Sequence, residues 1–361
     1  MTNTFTPGTG AFTVELDKKL RIDRQIGSID IYEDLFSPMI TANMSMVDAN
    51  DLLIVGNEKV LIEAQTPHDE ESISLTLRLY KLSGRVRYKA NMDIYTLHAA
   101  SDVMMDDTDI ALVTPYKNGT LSSYVKAIHE SYLKKHARLV EVEDSDGIID
   151  VIPPRVSPFT FMNYLASEAR SLTNPASNYV FFQTRAGFSF VTLDSLAKKK
   201  ARYTFKEVLH GSPLERGDRG KHISAFNYDA SFDLLNDKMM GRTKTQVRAF
   251  NPLTKSVTLY NEQTTNAPQV EKLIATTSAR TRPSFAAKEK QSLIDLNEKR
   301  ASILIPGNPY VFAGDTVNIR LPAPAKDEFS GKYLVTAIRN TFTNTGNYAT
   351  ALELMKVKDD E

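Results

Sequence analysis

The chain of 361 residues contains no cysteine. That absence excludes disulfides, thiolate zinc sites and a cysteine nucleophile. Neither charge is in excess: Lys and Arg total 44, and so do Asp and Glu. Binding nucleic acid through its phosphates requires a basic surplus. The one dense run, Lys198-Lys199-Lys200 with Arg202 nearby, reads as a solvated helix end. Near-zero net charge also leaves self-association unopposed by long-range repulsion. No apolar run approaches the ~20 residues of a membrane span. Residues 1–10 are polar, rich in Thr and Gly, and lack the layout of a signal peptide. The expectation is a soluble chain made in a cytoplasm, with no membrane insertion and no sequence-specific nucleic-acid binding.

Motifs that carry chemistry are also missing. Residues 211–221 superficially resemble a phosphate loop. However, Glu215 stands where a glycine is needed, and Lys221 is followed by His222 rather than Ser or Thr. The six histidines, His68, His98, His129, His136, His210 and His222, include no pair at the i, i+4 spacing of a helical zinc site. There is no Gly-x-Ser-x-Gly elbow. Asp144-Ser145-Asp146-Gly147 lacks the ligand spacing of a calcium loop and reads as a solvated acidic loop. A pair of carboxylates brought together by the fold stays open, but nothing designates one. The sequence therefore assigns no catalytic, cofactor-binding or metal residue, and no cofactor.

What is present is strand alternation. Phe12, Val14 and Leu16 alternate with polar residues, as do Val60, Ile62 and Ala64, and Ile73, Leu75, Leu77 and Leu79. Period-two alternation buries one face of a strand, and Gly27, Gly56 and Gly84 read as turns. From about residue 120 the period becomes helical, through Leu121, Tyr124, Val125, Ile128 and Tyr132, with Thr120 as N-cap. A second helix is expected after Ser157, with Pro158 at its first position and Phe161, Leu165 and Leu172 on one face. Strands at 179–183 and 188–193 follow. Residues 205–222 read as a charged boundary loop and 261–268 as a polar loop. Strands are expected at 223–232 and 245–260, and a helix at 284–300. From Ile303 alternation returns in Val317, Ile319 and Leu321, then at 333–338 and 348–355.

The C-terminal pattern repeats the N-terminal one. Gly56-Asn57-Glu58-Lys59-Val60-Leu61-Ile62-Glu63 matches Gly314-Asp315-Thr316-Val317-Asn318-Ile319-Arg320-Leu321, and each leads into further strands. Gly-Asn or Gly-Asp before a strand is common turn chemistry, so this match alone is weak. The fold class expected is α+β, mainly β: two similar antiparallel β-barrels with an inserted α/β region. The boundaries are 1–105 for the first barrel and 106–221 for the insert. The second barrel spans 222–260 and 301–361, interrupted by a helical insert at 261–300.

Two stretches carry a family likeness. One runs from Pro306-Gly307-Asn308-Pro309-Tyr310 through Gly314-Asp315-Thr316-Val317-Asn318-Ile319 and Ser330-Gly331-Lys332-Tyr333-Leu334-Val335 to Tyr348-Ala349-Thr350-Ala351-Leu352-Glu353-Leu354. The other is Pro153-Pro154-Arg155-Val156-Ser157-Pro158-Phe159, a helix, then Tyr179-Val180-Phe181-Phe182 and Gly187-Phe188-Ser189-Phe190. In this order they resemble the baseplate hub proteins of contractile phage tails, which are related to the hub part of type VI secretion spikes. The resemblance implies a structural, non-enzymatic homotrimer whose paired barrels form a pseudo-sixfold ring around a channel for DNA. The implied partners are the tail tube protein, a trimeric spike protein, baseplate wedge proteins and the tape measure protein. The spike is expected as a separate polypeptide because the chain ends soon after the last barrel. The implied location is the virion tail, assembled in the host cytoplasm. The alternatives are a cell-wall hydrolase and a carbohydrate-binding β protein.

Overall fold

The computed structural model describes residues 10–65, 73–174, 178–207, 220–229, 244–251, 255–262, 271–276, 300–322 and 329–357. The N-terminal alternation forms β1 (Ala11–Leu16), β2 (Leu20–Arg21), β3 (Ile26–Asp34), β4 (Thr41–Asp48), β5 (Lys59–Gln65), β6 (Ile73–Lys89) and β7 (Met92–Ser101). Val60, Ile62, Leu75, Leu77, Leu79, Met44 and Leu97 share one buried core. Gly56 turns, with φ +101°. Gly27 and Gly84 do not: they lie inside β3 and β6, each at a break in register with the neighbouring strand. Gly84 has φ +66°, so it supplies the left-handed residue that lets the long β6 bulge and continue.

The α/β insert contains α1 (Val103–Asp109), α2 (Leu121–Ile128), β8 (Leu139–Val142), α3 (Pro158–Glu168), β9 (Tyr179–Thr184), β10 (Gly187–Thr192) and α4 (Leu193–Lys198). Thr120 caps α2 by accepting from Ser123 N, and a π-helical turn over His129–Leu133 extends the helix. Ser157 caps α3, with Pro158 in its first turn. That helix stops at Glu168, so Leu172 falls beyond it and is exposed rather than sharing its apolar face. The insert's sheet runs β8-β10-β9, and its core packs Phe159, Phe161, Phe181, Phe188 and Phe190 against α2 and α3.

The remaining strands are β11 (Tyr203–Glu207), β12 (His222–Ile223), β13 (Ala225–Asp229), β14 (Lys244–Asn251), β15 (Ser256–Glu262), β16 (Glu271–Thr276), β17 (Arg300–Pro306), β18 (Thr316–Arg320), β19 (Gly331–Thr343) and β20 (Tyr348–Lys356). The ends of the expected boundary loop are strands β11 and β12. Asn261 and Glu262, read as loop, complete β15. The strands at 244–276 form a sheet of their own, ordered β15-β14-β16. The helix expected at 284–300 lies outside the described residues, save Arg300, which opens β17.

The two β regions do not stand apart. β3 pairs antiparallel with β19 from Asp34–Ala337 to Ser28–Thr343, so one fourteen-stranded sheet runs through both. No closed barrel is found among the described residues; the fold is α+β and mainly β. Within that sheet the repeat is clear. The first region orders β3-β4-β7-β6-β5, and the second orders β13-β17-β20-β19-β18, all antiparallel. Lys59–Arg78 and Val60–Leu77 correspond to Thr316–Leu334 and Val317–Tyr333. The bulge between Leu79 and Lys81 recurs between Val335 and Ala337.

The register corrects the glycine-based alignment by one residue. Asn57 N bonds Leu79 O as Gly314 N bonds Val335 O, at 2.8 and 2.9 Å. Asn57 and Gly314 both have positive φ, +69° and +89°, so a backbone conformation rather than a residue type is what repeats.

Candidate interaction surface

The repeat leaves its two hairpins in different surroundings. At the tip of β19–β20, Phe342 and Tyr348 stack with centroids 4.0 Å apart and are buried in the core of the first region. Gly307 lies against the Tyr348 ring, and Gly10 against Tyr348 Cβ and the Phe342 ring, so a Cβ at either position would collide or crowd. Gly10 N donates to Gly346 O at 2.9 Å, fastening β1's start to this tip. The hairpin β6–β7 ends in solvent instead. β6 spans 17 residues, but only its first six have a strand partner in β5. Beyond Leu79 its outer half pairs, among the described residues, with β7 alone. Val86 is 63 % and Tyr88 62 % exposed.

Charge covers this bare edge. Lys81, Arg85, Arg87 and Lys89 fall along it. Arg85 reaches Asp93 at 2.7 Å and Asp51 at 3.2 Å, and its guanidinium holds the Asp93 carboxyl below the ordinary carboxylate range. Lys89 Nζ lies 5.5 Å over the Tyr88 ring. Charged side chains and a bulge are the usual devices that keep a strand edge from pairing indiscriminately.

Beside the hairpin, a loop presents apolar side chains in a fixed conformation. Buried Asp48 accepts from Asn50 N and Leu52 N at 2.9 Å and from the Tyr95 hydroxyl at 3.0 Å. Burial, then the Asp48 carboxylate, push the Tyr95 hydroxyl's pKa up. Glu58 accepts from Val55 N at 2.7 Å. Leu52 and Ile54 pack on the core, while Leu53 and Val55 point out, 90 % and 84 % exposed. The second region has the same loop: Asp315 accepts from Phe312 N at 3.0 Å. There the insert covers it. Arg185 donates to Pro309 O and Val311 O at 2.9 and 2.8 Å and stacks 4.9 Å over Phe312. The same guanidinium forms a buried ion pair with Glu33 of β3. This clamp ties insert, first region and second region together. Sequence reading missed it because its members are 152 residues apart.

The outward face of the shared sheet is polar in rows. Thr343, Ser28, Ser45, Thr96 and Ser83 lie opposite one another across β19, β3, β4, β7 and β6. The next row is Thr341, Asp30, Asn43, His98 and Lys81. Arg339 and Thr341 donate to Asp30 of this row, and its His98 bridges Asn43 Oδ1 at 2.7 Å and Ser83 Oγ of the first row at 2.6 Å. Burial, then Lys81, lower the His98 pKa, which favours the neutral ring.

The other histidines are dispersed. His129 is buried, its Nε2–H donating to Ala137 O at 2.8 Å. His136 Nε2 meets Asp106 at 2.8 Å. Burial lowers the pKa of His222. His68 and His210, like most of the 211–221 segment, lie outside the described residues. Among the described residues no three His, Asp or Glu side chains converge as a metal site would require. Asp144 and Asp146 are exposed, and Asp144 reaches Lys126 at 3.0 Å. Two members of the lysine run are engaged: Lys198 with Asn174 at 2.7 Å and Lys199 with Glu141 at 2.5 Å. Glu143 is the anchor of the insert. It accepts from Thr192 N at 2.9 Å, Thr192 Oγ1 at 2.7 Å, Asn174 Nδ2 at 2.8 Å and Ser171 Oγ. Burial opposes its charge, but these donors outweigh burial and hold its carboxyl below its ordinary pKa.

No family model matches the chain, and no curated protein matches it by sequence. Solved structures do share its fold. The 43 kDa tail protein of prophage MuSo2 from Shewanella oneidensis has a TM-score of 0.67 at 12% identity, over 96% of this chain and 98% of that one. A tail protein from Neisseria meningitidis MC58 has a TM-score of 0.63 at 14% identity, over 96% and 97%. The E. coli c3393 protein, a component of the type VI secretion system, has a TM-score of 0.57 at 10% identity, over 96% and 77%. The chain therefore has a fold found in phage tail proteins and a type VI secretion component, and the likeness extends over almost its whole length.

Proposed function

We propose that this chain is the structural, non-enzymatic hub of a phage tail baseplate. Three copies form a ring around a channel, between a sixfold tail tube and a threefold spike. The observation that carries the reading is the in-chain repeat. Two five-strand units share order, register and bulge, and join edge to edge through β3 and β19. A trimer of such chains presents six similar units, each a tube-like β domain. The insert, present once per chain, supplies the threefold character. Tail location, and contact with tube, spike, wedge and tape measure proteins, follow from this reading. The fold shared with tail proteins supports it.

The hydroxyl-rich outer face of the shared sheet suits the channel. Ser and Thr carry no net charge, and Arg339 is answered by Asp30 at 2.9 Å. Such a surface leaves few cations to hold the phosphates of sliding DNA, Lys81 at the β6 end of the second row being one. Sedimentation of the purified chain, followed by particle images, tests the reading. A ring of three copies with a central channel is expected. A persistent monomer at high concentration in the presence of spike protein would overturn it, and turnover on purified peptidoglycan would favour a hydrolase instead.

A further inference from the structure

Asn118-Gly119, at the corner of the insert before α2, is the only Asn-Gly pair in the chain. The backbone nitrogen that follows an Asn can attack the Asn carboxamide carbon. Glycine favours this reaction because it has no Cβ to crowd the approach. The structure explains why both residues stand here. Asn118 takes the left-handed backbone, φ +56°, which Asn tolerates better than most residues. A Cβ at position 119 would lie 2.6 Å from Tyr124 Cε1 and 2.8 Å from Ser123 Oγ, so the position requires glycine. Packing and backbone conformation thus select a pair prone to reaction.

The attacking nitrogen is tied down. Gly119 N donates to the Tyr124 hydroxyl at 2.8 Å, and that hydroxyl donates to Ile149 O at 2.7 Å. Asn118 N donates to Asp150 Oδ1 at 2.9 Å, and Ile149 N donates to Gly119 O at 3.1 Å. Tyr124 is only 5 % exposed. Asn118 is exposed, and its carboxamide has no hydrogen-bond partner among the described residues. Water therefore reaches the group to be attacked, while a buried side chain holds the group that attacks. Attack needs rotation about the Asn118 Cα–C bond. That rotation takes the Gly119 N–H off the Tyr124 hydroxyl.

We propose that Asn118-Gly119 is a latent succinimide-forming site, kept shut by Tyr124 and reactive whenever this corner of the insert opens. Gly119 N loses its proton to solvent and bonds to Asn118 Cγ. The Cγ–Nδ2 bond breaks, and the leaving nitrogen takes a proton from solvent and departs as ammonia. Water then opens the ring at either carbonyl, giving aspartate or isoaspartate, with no oxidation or reduction. Either product places a new carboxylate near Asp150, which accepts from Asn118 N. Isoaspartate also adds a methylene to the main chain just before Gly119, misaligning its bonds to Tyr124 and Ile149. A reversible opening is thereby made permanent. Nothing in this chemistry depends on the hub reading.

The test incubates the full chain in mildly alkaline buffer, folded and in concentrated urea. Peptide mapping by mass spectrometry reads the replacement of the Asn118 amide by a carboxyl group. The unfolded chain is expected to convert and the folded chain to convert far more slowly. Tyr124→Phe, with its unfolding midpoint measured alongside, is expected to convert roughly two- to tenfold faster than the folded parent, the factor one hydrogen bond is worth. In the unsubstituted chain at low urea, conversion is expected to rise in step with hydrogen exchange of the Gly119 amide. Equal rates in the folded and unfolded chains would overturn the latency. A folded Tyr124→Phe chain converting no faster than the parent, or conversion that ignores Gly119 exchange, would overturn the role of Tyr124. Should Tyr124→Phe fail to fold, the urea series on the unsubstituted chain decides.

Discussion

The two long hairpins are the same structure put to opposite uses. β6–β7 and β19–β20 share register and bulge, yet one tip is bare and the other is buried in a core. The positions of β6–β7 that correspond to Phe342 and Tyr348 are Arg87 and Asp93, an ion pair at 3.6 Å. The difference follows from what each tip meets. The β19–β20 tip packs on the core of the first region, so it can be apolar. The β6–β7 tip stands in water, where an apolar edge would invite indiscriminate pairing. The loops beside the hairpins differ in the same sense. Arg185 of the insert clamps the one at 309–312, while Leu53 and Val55 stand uncovered.

The sharpest way to break the comparison is at the tips. Tyr348→Ala should destabilise the isolated chain by about 3–5 kcal/mol, as for other buried aromatic truncations. Asp93→Ala at the matching position should leave the urea midpoint nearly unchanged; equal losses would mean the tips are not differently used. Next is the clamp. Arg185→Met leaves Glu33 buried without its partner, which costs about 3 kcal/mol or somewhat more, and Glu33→Gln added to it should recover part of that loss in urea unfolding.

Acid should loosen the insert, and also the β6–β7 tip, where Arg85 holds Asp93 below its ordinary pKa. Glu143 has a folded pKa below its ordinary 4.5. A lowered pKa contributes stability above the unfolded value, and that stability disappears as pH falls through the folded value. Hydrogen exchange near α3 and β10 should therefore accelerate as pH falls through that lowered folded value, and Thr192→Val should shift the onset to higher pH. The smallest effect on stability is expected from Arg85→Thr with Arg87→Thr and Lys89→Thr. The unfolding midpoint of the monomer should barely move, while non-specific aggregation should increase, measured by light scattering.

Much of the fold was legible locally. Alternation in Val60, Ile62, Leu75, Leu77 and Leu79 marked strands because a half-buried strand needs period two. Thr120, Ser157 and Pro158 marked helix starts because unsatisfied N–H groups there select those residues. Glycine misled at two positions: Gly27 and Gly84 signal a permissive backbone, which a bulge uses as readily as a turn. The interaction surface was not legible. Val86 and Tyr88 look like core residues of a strand, and nothing local says that β5 stops short of them.

By itself, then, the sequence determined the period of each element, the caps that start the helices, the neutral charge and the existence of a repeated pattern. These are properties of neighbours in the chain, fixed by backbone sterics and local hydrogen bonding. Only the tertiary structure decided that the repeats share one sheet, that Arg185 locks them at Glu33, and which hairpin is left with a bare edge. Those outcomes depend on strands and side chains brought together from hundreds of residues apart. Strand edges are backbone groups common to every residue, so side-chain identity does not reveal which of them will find a partner.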